Sequence, residues 1–151
     1  MESLMYCQLY ATAIAFNHHG ILFFGESGSG KSDFAYQLIQ KFPSSVSLIS
    51  DDRVDIYHKD KKIFLSPPSQ IAGLLEVRGV GIITFPFMAN IELTLCVNLR
   101  TNYPRLPVNK YKEIAGKQIP LYTLNPFELT APFKLNHIVE KYIAKPNKKA
   151  S

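Results

Sequence analysis

The stretch Ile21-Leu22-Phe23-Phe24-Gly25-Glu26-Ser27-Gly28-Ser29-Gly30-Lys31-Ser32-Asp33-Phe34 decides the fold. Its first four residues are a continuous apolar run of strand length, and the next eight are rich in glycine. From Phe34 the pattern changes period: Phe34, Leu38 and Phe42, with Ala35 and Ile39, fall on one face of a helix that Pro43 ends. Strand, glycine-rich loop and helix is the context that a complete GxxxxGKS pattern requires for phosphate binding. Gly25, Gly28 and Gly30 let backbone N–H groups converge on phosphate oxygens, and Glu26, Ser27 and Ser29 complete the loop. The helix N-terminus adds its dipole, Lys31 reaches the terminal phosphates, and the Ser32 hydroxyl suits Mg²⁺. The four fixed positions arise by chance in roughly one chain in two hundred of this length.

Outward from this loop, residues 10–16 (YATAIAF) read as a strand joined to 21–24 by the turn Asn17-His18-His19-Gly20. After the helix, Val46–Ser50 reads as another apolar strand, running into Asp51-Asp52. It completes a βαβ unit, which favours parallel strands with a right-handed crossover. Residues 54–58 and 62–66 flank Lys59-Asp60-Lys61 as a hairpin, closed by Pro67-Pro68. Residues 74–83 (LLEVRGVGII) carry two glycines and two charges, a poor plain strand. Residues 91–99 alternate as a strand and 119–123 form a weaker one. The proline-rich stretch 104–132 is expected to be mostly loop, and 135–144 a terminal helix with Ile138, Val139 and Tyr142 inward. No repeat or linker interrupts the chain, so residues 1–144 are expected to form one α/β domain, with 145–151 a basic, disordered tail.

At 151 residues and 46% hydrophobic content, disorder is excluded for most of the chain. No apolar run reaches membrane-spanning length and the N-terminus lacks the basic and apolar blocks of a signal peptide, so a cytoplasmic protein without a membrane partner is expected. Cys7 and Cys96 lack zinc-ligand spacing and read as reduced thiols. The net charge of +5 is uneven: residues 1–100 hold 8 Lys/Arg against 9 Asp/Glu, and residues 101–151 hold 9 against 3. That basic excess lacks the interleaved aromatics of a nucleic-acid surface, so no nucleic-acid partner is expected.

Two further stretches carry chemistry. An apolar strand ending in Asp51-Asp52 resembles the arrangement in which a phosphate-binding-loop enzyme holds its metal. Neighbouring side chains of a strand point to opposite faces, so one acid can face a metal while the other faces an acceptor hydroxyl; an ordinary acidic turn before Arg53 is the plain alternative. In Leu74-Leu75-Glu76-Val77-Arg78-Gly79-Val80-Gly81, Glu76 and Arg78 share one face of an extended chain. The glycines let the backbone approach phosphate or metal, or else mark a bulge beside a structural ion pair.

The segments GESGSGKSD, SLISDDRVDIY and LLEVRGVGII, in this order and spacing, resemble the catalytic domain of the HPr kinase/phosphorylase family over about residues 10–132. The resemblance implies a P-loop domain with a mixed β-sheet, related to the phosphoenolpyruvate carboxykinase-like fold. It implies an ATP- and Mg²⁺-dependent protein serine kinase of the phosphotransferase system, acting on the phosphocarrier HPr or a similar protein. In that reading residues 25–32 cradle the nucleotide or pyrophosphate, Lys31 contacts the transferred phosphoryl group, and Ser32 and Glu76 ligate Mg²⁺. Asp52 takes the proton of the acceptor serine, Asp51 supports it, Leu75 to Gly81 form the signature segment, and Arg105 binds phosphate. The division between the two acids stays open, because neighbouring carboxylates titrate as a pair.

Tyr10 stands where the family has a phosphate-binding histidine, and a phenol cannot become cationic near neutral pH, which argues against phosphorolysis. Lys134 remains from a basic segment whose arginine is missing. The chain resembles a short, single-domain form of the family, in which the surfaces for hexamer assembly and for gripping HPr are partly absent, while a homo-oligomer stays compatible with it. The alternatives are a nucleotide-binding regulatory module without turnover and a small P-loop kinase on another acceptor.

Overall fold

A computed structural model describes residues 4–150, with the side chains of residues 5–143. The strands are β1 (Leu4–Tyr10), β2 (Thr12–Phe16), β3 (His19–Phe24), β4 (Val46–Ser50), β5 (Arg53–Lys59), β6 (Lys62–Ser66), β7 (Leu74–Val77), β8 (Gly81–Thr84), β9 (Ile91–Leu99), β10 (Lys110–Ile114) and β11 (Lys117–Leu124). The helices are α1 (Lys31–Lys41) and α2 (Ala131–Ala150), with one 3₁₀ turn at Ser69–Ile71. Side chains past Ile143 and all of Ser151 lie outside the described residues, while the backbone of residues 145–150, expected as a disordered tail, continues α2.

Among the described residues nine strands form one mixed sheet, ordered β1-β5-β6-β9-β3-β2-β4, with the β10–β11 hairpin joined to β9. The long strand β9 serves both parts. Its first residues pair antiparallel with β6, and its last pair parallel with β11. Strand alternation sends Ile14, Phe16, Ile21 and Phe23 to one face, where α1 and α2 bury Phe34, Ala35, Leu38, Leu135 and Val139 against them. Ala13, Ala15 and Leu22 face the other side, against Val54, Ile56, Ile63 and Leu65. A register shift between Gly20 and Ile21 opposite Leu93 and Leu95 puts these two leucines on different faces, as a bulge does.

The expected βαβ unit needs a correction. β3 and β4 do run parallel, but β2 lies between them and pairs antiparallel with both. The β2–β3 hairpin follows from its turn: Asn17 and His18 have φ of 50° and 67°, the two left-handed residues of a turn matched to strand twist. Asp60 and Lys61 make the same turn between β5 and β6. Residues 10–16 are not one strand, since Ala11 separates β1 on β5 from β2 on β4.

Three more differences follow from packing. Residues 74–83 are a hairpin rather than one irregular strand: Leu74 pairs with Thr84 and Val77 with Gly81, in a separate two-stranded sheet. The stretch 104–132 is not mostly loop, because β10 and β11 form a hairpin around Ala115 and Gly116, both at positive φ. Helix α2 begins at Ala131, four residues earlier than expected, where Ala131 N donates to Glu128 O at 3.1 Å. No helix among the described residues is long and apolar enough to cross a membrane.

Candidate functional site

β3, β4, β9 and β11 all point their carboxyl ends to one edge of the sheet, since β4 and β3 are both antiparallel to β2 and β9 is parallel to β3 and β11. Open α/β sheets bind ligands at such an edge. Here the GxxxxGKS loop leaves β3 and turns into α1. A Cβ on Gly25 would collide with Ser29 Oγ and stand 2.8 Å from Ser29 Cβ, so glycine is required for the closure. Gly30 caps α1 in the left-handed conformation (φ 93°) with no side-chain cap bond, which leaves the first-turn N–H groups facing outward for an anion.

A cleft of about 470 Å³ opens over this loop, lined by Gly25, Gly28, Gly30, Lys31, Ser32, Asp51, Asp52, Glu76, Arg78 and Tyr10, among others. Lys31 Nζ donates to the loop's own carbonyls, Gly25 O at 2.8 Å and Glu26 O at 3.3 Å, which holds the ammonium across the loop mouth. Asp51 is buried at the end of β4, and its Oδ1 accepts from Ser32 Oγ at 2.7 Å and from Thr12 Oγ1 at 2.9 Å.

Asp52 is exposed and adopts φ 72°, a conformation that aspartate tolerates better than most residues. Its carbonyl accepts from Ala11 N at 3.1 Å, and Arg53 N closes the turn on Asp51 O at 2.8 Å. The two acids therefore occupy a tight turn after the strand. They part as one buried and one exposed carboxylate, which the alternation of a continuous strand does not explain. Glu76 on β7 and Arg78 in the β7–β8 turn reach the same cleft, and among the described residues they form no ion pair with each other.

The profile of the HPr Serine kinase C-terminal domain matches residues 4–150. The chain belongs to that family. It is 35% identical to the HPr kinase/phosphorylase of Lactobacillus johnsonii over 119 residues, 70% of this chain and 36% of that protein. It is 33% identical to that of Clostridium botulinum over 130 residues, 78% of this chain and 42% of that protein. The chain thus spans well under half the length of these curated relatives. The HPr(Ser) kinase/phosphatase from Coxiella burnetii superposes with a TM-score of 0.78 over 96% of this chain and 95% of that one, at 22% identity, a likeness of fold.

This HPr serine kinase C-terminal domain does not bring every expected residue to the cleft. Arg105 does not line it; it lines a separate cavity of about 320 Å³ between the 103–108 loop, β11 and α2. Lys134 lies at that second cavity too, and its ammonium donates to Glu128 Oε1 at 2.9 Å and to the Tyr103 hydroxyl at 3.2 Å. The Tyr103 hydroxyl in turn reaches both Glu128 oxygens, at 2.9 and 2.8 Å. These bonds hold the Glu128 carboxyl below the usual carboxylate range and raise Lys134 above the usual lysine value, each as the other's partner.

Sequence reasoning missed three residues of this domain's cleft, Thr12, Asp33 and Phe127. Thr12 is fully buried yet polar, and its position between Ala11 and Ala13 in YATAIAF was the available signal. Phe127 is 63% exposed and lines the cleft beside Gly30. No local pattern marked it, since it lies between the weak strand read at 119–123 and α2, in a stretch expected to be mostly loop.

The residues fit a divalent cation in part. Mg²⁺ takes oxygen ligands, one or two from protein and the rest from water and phosphate. Ser32 Oγ and the carboxylates of Asp51 and Glu76 supply that chemistry, and among the described residues no cluster of three or more carboxylate, His or Cys side chains forms a self-sufficient cage.

Proposed function

We propose that this domain is an ATP- and Mg²⁺-dependent protein serine kinase acting on HPr or a related carrier protein. The observation that carries this reading is the meeting, in one cleft, of an open glycine-capped helix N-terminus with a buried acid bound to Ser32 and an exposed acid beside it. Phosphoryl transfer asks for alignment and charge neutralisation more than covalent help. The loop N–H groups and Lys31 hold the phosphate chain. Asp51 fixes the Ser32 hydroxyl; Ser32 and Glu76 would hold the metal, which supplies charge neutralisation between the phosphates. Asp52, solvent-facing at the cleft mouth, accepts the proton of the acceptor serine as its oxygen attacks the terminal phosphorus and the bond to the leaving diphosphate breaks. Arg78 from the neighbouring hairpin adds a cation to the same space.

Tyr10 lies at the mouth of the cleft and is 81% exposed. Its neutral phenol offers no cation to inorganic phosphate, so phosphorolysis of the seryl-phosphorylated carrier is expected to be weak. The test is transfer from labelled ATP to purified HPr, with Asp52→Asn expected to lower the rate by a hundredfold or more, the usual range for a lost general base being about 10²–10⁴. Undiminished transfer by that variant removes the assigned base. Tight ATP binding without labelling of the carrier removes the kinase reading in favour of a binding module.

A further inference from the structure

A second groove lies on the other side of Phe127. It too measures about 470 Å³ and is lined by Asn98, Arg100, Thr101, Pro126 and Phe127 together with residues 25–29 of the glycine-rich loop. It shares Gly25, Ser27, Gly28 and Phe127 with the cleft described above, so the two spaces meet over the loop. The acids at the end of β4 lie on one side of this meeting line. The carboxyl ends of β9 and β11, which supply Asn98 to Thr101 and Pro126-Phe127, lie on the other. A phosphate chain seated on the loop with its reacting end toward Asp52 therefore directs its other end into the second groove.

Phe127 is built to present a ring there. Large aromatic side chains usually bury most of their surface, yet this one is 63% exposed. One edge of the ring rests against the loop, where a Cβ on Gly30 would approach it to 3.2 Å. Phe127 N donates to Asn125 Oδ1 at 3.0 Å, and the next residue, Glu128, is tied to Tyr103 and Lys134. The backbone on both sides is thus held before any ligand arrives.

We propose that this groove receives the nucleoside of the bound nucleotide, with the Phe127 ring as the surface on which the base stacks. The inference rests on the nucleotide reading above and locates the half of the ligand that the phosphate loop does not hold. Stacking on an aromatic face is tolerant of base identity, because every base has a π-face. The groove accordingly fixes where the base lies and favours purines by area.

The test compares two probes by titration calorimetry on the full chain, ATP and inorganic tripolyphosphate, which share a phosphate chain but not a base. Phe127→Ala is expected to weaken ATP on the order of tenfold, as loss of a base-stacking ring does, while tripolyphosphate changes less than twofold. Phe127→Trp is expected to keep ATP affinity. Thr101→Trp, which fills the groove from an exposed position, is expected to weaken ATP and spare tripolyphosphate. Unchanged melting temperatures show that the variants fold. Equal losses for both probes, or no loss for either, overturn the stacking role. Wild-type protein that binds ATP no more tightly than tripolyphosphate overturns the nucleoside groove but leaves the phosphate site standing. Wild-type protein that binds neither removes the nucleotide reading itself.

Discussion

Thr12→Val isolates the scaffold that fixes the buried acid. Thr12 is fully buried on β2, and its hydroxyl donates to Asp51 Oδ1 at 2.9 Å. Valine has nearly the same shape, so no cavity opens, but Asp51 loses one of its two hydroxyl donors. A hydrogen bond to a charged group contributes about 2 kcal/mol, and the methyl that replaces the hydroxyl returns about 0.8 kcal/mol by its burial. The net loss is about 1.2 kcal/mol, which for a domain of this size lowers the melting temperature by roughly 3–5 °C. Thermal unfolding followed by circular dichroism measures it, provided the transition is reversible. In an Asp51→Ala background the same substitution should stabilise by about 0.8 kcal/mol, since the acceptor is gone while the methyl is still buried, so the cycle should report a coupling of about 2 kcal/mol. A Thr12→Val variant as stable as wild type, or equal losses in both backgrounds, refutes the role given to this bond.

Two other outcomes follow from the titrating groups. Glu128 is held below the usual carboxylate range by Lys134 and Tyr103, so its contribution is present above about pH 4 and fades as pH falls through its lowered value. Lys134 is raised, so its share is present below about pH 10.4 and fades as pH climbs through its raised value. The melting-temperature gap between wild type and Glu128→Gln should therefore hold level from pH 6 to 9 (about the mid-range between those values) and close at both ends; a gap that widens toward acid contradicts the assignment. Burial pushes the Cys96 thiol up to about 12, so a Cys7→Ser chain should resist Ellman's reagent until denaturant is added. Rapid labelling of that native chain would show the thiol to be accessible.

What could be read from the sequence divides by range. The phosphate loop, α1 with its stop at Pro43, and the Asn17-His18 and Asp60-Lys61 turns all depend on a few neighbouring residues, and all formed where expected. The β10–β11 hairpin depends equally on a local turn, Ala115-Gly116, but the surrounding prolines masked it. Pro120 is tolerated because at that point β11 pairs with β10 alone; its pairing with β9 begins at Leu121. The order of the strands had no local signature. That β2 enters antiparallel between β3 and β4 is what carries Thr12 to Asp51, and no spacing along the chain announces a partner 39 residues away.

The same division explains the uneven charge. Counted along the chain, the basic excess of residues 101–151 includes Arg105, to which the family resemblance gives a phosphate role. Folded, much of that charge is engaged elsewhere: Lys134 pairs with Glu128, Lys112 lies 4.6 Å from the Phe24 ring centre, and Lys141 lies 5.6 Å from that of Tyr122. The aromatic partners come from β3 and β11, strands that composition alone does not bring near these lysines. The cleft over the phosphate loop draws its cations instead from Lys31 and Arg78, within the slightly acidic first hundred residues, where they offset Asp51, Asp52 and Glu76. On the proposed reading, this cleft, whose four carboxylates outnumber its two cations, gains its affinity for phosphate from directed N–H groups and local cations, so the domain's net charge is a poor guide to where an anionic ligand binds.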